Sequence, residues 1–220
     1  MKYTFDMPNN LRLRRVFCLL FACVGMLFFG HPSADEKNSP HVHDQHQAHA
    51  VTETTASFNR SEASYKVPDV TMVRQDGSKV SLLKELDDGR PVMINFIFTT
   101  CAAICPALSH VFSTVQKKLG EESGKVHLVS ISIDPEQDTP AHLTEYAKKF
   151  KAGPGWQFYT GTTKASIEVQ KAFNAFRGDK MNHLPLVLMR AAPGQAWVRL
   201  EGLTSADDLI GEYHHLVGQK

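Results

Sequence analysis

Two cysteines stand four positions apart in Phe98-Thr99-Thr100-Cys101-Ala102-Ala103-Ile104-Cys105-Pro106, directly after an apolar run. A thiol at the carboxyl end of a strand and the start of a helix gains from the helix dipole and from unpaired N–H groups. Its pKa should fall and its thiolate become accessible. If the turn is helical, Cys101 and Cys105 share a face with Cα atoms about 6 Å apart, a spacing that permits a disulfide. The same spacing suits Cu(I), which favours few soft sulfur ligands. A structural disulfide between such close cysteines gains little chain entropy. A thiol–disulfide oxidoreductase more usually carries two residues between its cysteines; three widen the site and leave room for a metal. Two sulfurs alone leave an ion open, so a metal site wants a third donor.

The pair has to be positioned by the elements around it. Pro91-Val92-Met93-Ile94-Asn95-Phe96-Ile97-Phe98 is too apolar for a half-exposed strand and reads as a central one covered on both faces. Before it, 70–73 and 79–82 flank Asp76-Gly77, a hairpin signal. After it, the periodicity predicts a helix from Pro106 to Leu119, with Leu108, Val111, Phe112 and Val115 on one side. A second buried strand is expected from Val126 to Ile133. Thr139 and Pro140 then supply the cap and first-turn proline of a helix carrying Leu143, Tyr146, Ala147 and Phe150. A short strand over 156–159, a helix carrying Ile167, Val169, Ala172, Phe173 and Phe176, and a hairpin of 186–189 with 196–200 follow. Ser205 caps a last helix with Leu209, Ile210, Tyr213 and Leu216 inside. The order β-β-β-α-β-α-β-α-β-β-α suits a three-layer α/β sandwich, and open sheets of this kind place ligands beyond the carboxyl ends of their strands.

With these residues in view, the chain resembles the Sco/SenC family of copper proteins, which take part in cytochrome c oxidase assembly. Phe96 to Pro106 with its C-x-x-x-C is similar to that family's metal motif. Ser130-Ile131-Ser132-Ile133-Asp134-Pro135-Glu136-Gln137-Asp138-Thr139-Pro140 is similar to its second signature. Asn182-His183 falls where the family has its histidine. The likeness covers roughly residues 65–218. It implies a thioredoxin-like fold, here with an N-terminal β-hairpin extension, and a Cu(I)/Cu(II) site made by Cys101, Cys105 and His183. It further implies delivery of copper to a copper-site apoprotein such as an oxidase subunit, the work of a metallochaperone more than of an enzyme.

Two readings of the same cysteines stay open beside it: a thiol–disulfide reductase with Cys101 and Cys105 as its redox pair, and a copper- or redox-responsive signalling protein. A peroxiredoxin-like peroxidase is disfavoured, since it would need Pro and Thr where Ile94 and Phe98 stand. The chain also departs from the family pattern. Ala102-Ala103 replaces the common Pro-Asp, and Asn182 replaces an Asp that would orient the imidazole. Pro185, before an apolar strand, could supply the cis-proline that thioredoxin-like redox proteins hold opposite their cysteines. A loop histidine satisfied by a backbone carbonyl is the plain alternative for His183. Asp134 and Asp138 read as loop and capping residues with a supporting role possible, Met181 as a packing residue that is also a conceivable soft donor, and His214-His215 as exposed or helix-terminal.

Composition narrows the remaining classes. The 220 residues carry 24 Lys/Arg against 23 Asp/Glu, without the basic excess of a nucleic-acid binder, and four cysteines are too few for a disulfide scaffold. Arg12, Arg14 and Arg15 precede an apolar run from Val16 to Gly30, the layout of a secretory signal peptide. Residues 1–34 are expected to be such a peptide, cut after Ala34, or an uncleaved membrane anchor; a lipoprotein using Cys23 fits less well. Each delivers the rest to an oxidising compartment such as the periplasm, with the membrane engaged only by this segment. Residues 35–64 lack apolar periodicity and are expected to form a disordered tether. Its His41, His43, His46 and His49 could capture a metal or be solvated linker residues. Residues 65–220 make the folded domain, with Cys101 and Cys105 its only cysteines.

Overall fold

A computed structural model describes residues 58–218. The expected signal or anchor segment and the histidines at 41–49 lie outside these residues. Eight strands form one mixed sheet: β1 (Phe58–Ala63), β2 (Thr71–Arg74), β3 (Lys79–Ser81), β4 (Val92–Ile97), β5 (His127–Ser132), β6 (Trp156–Thr160), β7 (Leu186–Arg190) and β8 (Trp197–Gly202). Their order across the sheet is β1-β8-β7-β4-β5-β6-β2-β3. β4, β5 and β6 run parallel, with Ile94 opposite Val129, and β7 pairs antiparallel on the other side of β4. Five helices join them: α1 (Leu82–Leu86), α2 (Ile104–Leu119), α3 (Pro140–Lys149), α4 (Thr163–Ala172) and α5 (Ala206–Gly218).

The period-two alternation of β4 makes the three layers. Met93 and Ile97 face a core filled by Phe112 and Val115 of α2, Leu143 of α3 and Leu209 of α5. Val92, Ile94 and Phe96 face the other core, with Leu82 and Leu86 of α1 and Val169 of α4. Every residue of β4 is buried. Asn95, on the first face, accepts a 2.7 Å bond from Ser130 Oγ, which itself accepts Trp156 Nε1–H at 2.9 Å. The β2–β3 hairpin adds to the far edge through β2 and β6, which is the expected extension. Ser205 and Asp208 cap each other's backbone N–H groups at the start of α5. Among the described residues no helix is long and apolar enough to cross a membrane.

The structure departs from the sequence reading away from the cysteine turn as well. Residues 58–63, expected in the tether, form β1. This edge strand is held by backbone pairing with β8 rather than by an apolar face, so it carries no hydrophobic period. Its stays are Phe58, packed against the first core, and Arg60, paired with Glu212 at 2.9 Å. Leu82 does not end a strand; Ser81 accepts Lys84 N–H and starts α1 there. α4 stops at Ala172, short of Phe176, because Asn174 takes the left-handed conformation (φ 51°). Finally, the bond before Pro185 is trans, like every described peptide bond. The proline sits at the threshold of β7, where a missing N–H is tolerated.

Candidate metal centre

Three chain segments meet beyond the carboxyl ends of β4 and β5. The first leaves β4 through Phe98, Thr99 and Thr100. Cys101 N–H closes a turn on the Phe98 carbonyl at 3.1 Å. α2 begins at Ile104, two residues earlier than expected, so Cys105 lies in its first turn and Pro106 takes a position whose N–H has no helical partner. No side chain caps Ala103. The sulfur of Cys101 supplies that role, accepting Cys105 N–H at 3.5 Å.

The two thiols are unlike. Cys101 is half-buried and Cys105 fully buried, and both are free. Burial works to raise the Cys101 pKa, but the N–H groups of Cys105, Ala103 and Ile104 and the Cys105 thiol outweigh it, and the pKa falls below the ordinary thiol value. Burial first, then the Cys101 sulfur and Asp138, push Cys105 up to about 12. At neutral pH the Cys105 thiol therefore donates to the Cys101 sulfur.

The second segment follows β5. Asp138 is fully buried and accepts bonds from Thr99 N–H (3.0 Å), Thr99 Oγ1 (2.5 Å) and Ser132 Oγ (2.6 Å). It fastens the cysteine turn to the end of β5. Asp134, also buried, pairs at 2.5 Å with Lys180 of the third segment. Lys180 opens a 3-10 turn over Lys180–Asn182 and lies over the Phe98 ring, 5.5 Å from its centroid. The turn ends at His183, whose N–H bonds to the Lys180 carbonyl. Asp134 and Asp138 thus act as loop residues, Asp138 holding the cysteine turn and Asp134 holding Lys180. The roles of Lys180 and Thr99 went unnoticed in the sequence, because their partners lie 46 and 39 positions away.

His183 is buried, edge-on to Phe96, with Nε2 3.1 Å from the Phe96 carbonyl oxygen. A carbonyl only accepts, so Nε2 carries the proton and Nδ1 keeps the lone pair. Burial lowers the His183 pKa, Arg177 adds to the fall, and the Phe96 bond opposes it. The ring is neutral at physiological pH, the form in which imidazole ligates a metal. Cys101 and His183 line one cleft of about 310 Å³, with Phe98, Ile104, Lys180 and Met181 among its walls. Cys105 lies behind Cys101. Among the described residues, no three His, Cys, Asp or Glu side chains are already gathered closely enough to hold a metal ion. Closing a three-donor site requires the His183 ring or the cysteine turn to shift. Met181, read as a packing residue, is instead 73 % exposed. His214 and His215 are exposed on α5, as expected.

Comparison with known proteins places these observations in a lineage. The SCO1/SenC family model matches residues 59–217. The SCO1 protein homolog of Bacillus subtilis is 37 % identical over 115 residues, covering 51 % of this chain and 58 % of that protein. The mitochondrial Protein SCO1 homolog 1 of Arabidopsis thaliana is 29 % identical over 162 residues, covering 73 % of this chain and 45 % of its own length. The matches thus span about half the length of these curated relatives. Among solved structures, BsSco, described as a member of the Sco family of cytochrome c oxidase assembly proteins with a disulfide switch, superposes with a TM-score of 0.59 at 30 % identity. That match covers 73 % of this chain and 98 % of BsSco. Arabidopsis thaliana ScoI with copper bound gives 0.59 at 26 % identity, over 70 % and 99 % of the two chains.

Proposed function

Because the chain belongs to the SCO1/SenC family, we propose that it is an exported copper chaperone that takes Cu(I) on Cys101, Cys105 and His183 and hands it to a copper enzyme such as cytochrome c oxidase. The observation that carries this reading is the shared cleft of Cys101 and His183, whose walls are tied together by Asp138 and by the Asp134–Lys180 pair. Its donors suit the ion: a half-buried thiol of lowered pKa, a second sulfur beside it, and a neutral imidazole with Nδ1 free. Copper bound to Arabidopsis ScoI and the oxidase-assembly role named for BsSco support the choice of cargo and recipient. The basic and apolar run of residues 12–30 supports export, with the domain in the periplasm or on the outer face of a membrane. Loading needs both cysteines reduced, so redox state gates it.

Competition for Cu(I) against a chelator tests the reading. The reduced protein is expected to hold one tightly bound copper. Cys101→Ser, Cys105→Ser and His183→Ala should each weaken it by about a hundredfold or more, beyond what losing a ligand's hydrogen-bond partner costs. Equal affinity in all four proteins would refute it. One observation favours a second reading. A half-buried thiol of lowered pKa beside a buried thiol near 12 is the asymmetry of an attacking and a resolving cysteine in a disulfide reductase. That function is expected to show as reduction of a copper-site disulfide with weak copper binding throughout.

A further inference from the structure

Three large apolar side chains among the described residues stand exposed: Met181, Leu184 and Leu203. Of these, only Met181 lines the cleft that holds Cys101 and His183. At 73 % exposure it contributes almost nothing to a core, so packing does not explain its side chain. Nor is its backbone loose. Met181 N–H donates to Asp179 Oδ1 at 2.8 Å. Lys180 on one side is fixed to Asp134 and stacked over Phe98, and His183 is bonded through both its N–H and its ring. The fold holds a thioether in water at the mouth of a cleft that has the Cys101 thiol and the His183 imidazole behind it.

A leucine in the same place would present a similar apolar surface, so the chemical difference is the donor sulfur. Thioether, like thiolate, is a soft ligand that selects Cu(I). It is neutral, needs no deprotonation, and its unbranched chain with three rotatable bonds can swing without moving the backbone. We propose that Met181 is a further copper donor at the mouth of the cleft, its sulfur joining Cys101, Cys105 and His183 on Cu(I). This rests on the copper reading above and adds a donor to it.

The test uses the full-length reduced protein labelled with methyl-13C methionine and titrated anaerobically with Cu(I) alone. The Met181 methyl signal, identified by its loss in Met181→Leu, is expected to move and to saturate at one equivalent. Met181→Leu, which keeps the apolar bulk, is expected to hold Cu(I) about tenfold more weakly against a competing chelator. If copper binds at one equivalent and either the methyl signal stays still or Met181→Leu competes equally well, Met181 is no donor while the three-residue site stands. If the reduced wild-type protein takes up no Cu(I), the copper reading falls and this inference with it.

Discussion

At the residue scale, chemistry is divided between two thiols of one type by their positions relative to a helix start. Cys101 precedes α2 and collects its orphan N–H groups; Cys105 is inside the first turn, where burial dominates. Alkylation of the reduced protein at neutral pH, followed by mass spectrometry, is expected to modify Cys101 first. Its rate should rise at lower pH than that of an ordinary thiol; prior labelling of Cys105 would contradict the assignment. The cysteine pair and His183 were legible in the sequence because their types and spacings are local or match a family pattern. That His183 bonds a backbone carbonyl was the plain alternative in the sequence; that the carbonyl is Phe96's was not legible, because a partner 87 positions away leaves no mark on either neighbourhood. The exposure of Met181 was equally invisible, since an apolar residue reads as core until its neighbours are known.

At the scale of elements, the site depends on how firmly three loops are tied. Asp138→Ala removes the shared acceptor of Thr99 and Ser132 and leaves part-buried and buried donors without that partner. A loss on the order of 3 kcal/mol in urea unfolding is expected. A variant as stable as wild type would show that the cysteine turn is held otherwise. The Asp134–Lys180 pair is more exposed on the Lys180 side and should matter less for stability than for placement. Lys180→Ala is expected to weaken Cu(I) binding while leaving the unfolding midpoint nearly unchanged. β1 makes a separate point. A chain beginning at residue 64 would uncover the backbone edge of β8, so it is expected to lose several degrees in Tm and to self-associate, as seen by light scattering, compared with one beginning at residue 57. An unaltered, monomeric truncation would mean that β1 adds nothing.

Across the whole molecule, the order of the inner elements was readable because buried parallel strands and amphipathic helices write strong periods. The β1 edge was not, because backbone pairing writes none. Another long-range feature lies at the opposite end of β5. His127 is buried, with Tyr159 Oη 3.4 Å from Nε2 and Asp88 Oδ2 3.5 Å from Nδ1. Burial lowers its pKa, Arg90 adds to the fall, and Asp88 and Glu85 oppose it, so the ring is neutral and its contact with Asp88 is no ion pair. Above about pH 6.5 the imidazole is neutral both folded and unfolded. Below that, the unfolded chain takes up a proton that the fold resists, so stability falls as pH drops toward the lower folded value. His183 acts with the same sign. The urea midpoint is expected to fall between about pH 7 and about pH 5, and to fall less in His127→Gln; identical slopes would remove His127 from the account.

The most direct test of the copper centre is the copper-edge X-ray absorption spectrum of the reduced protein carrying one equivalent of Cu(I), beside that of His183→Ala. Sulfur scatterers together with an imidazole shell are expected in the first, and sulfur with that shell lost in the second. An imidazole shell of equal strength in both spectra, or in neither, would contradict a site that joins His183 to Cys101 and Cys105.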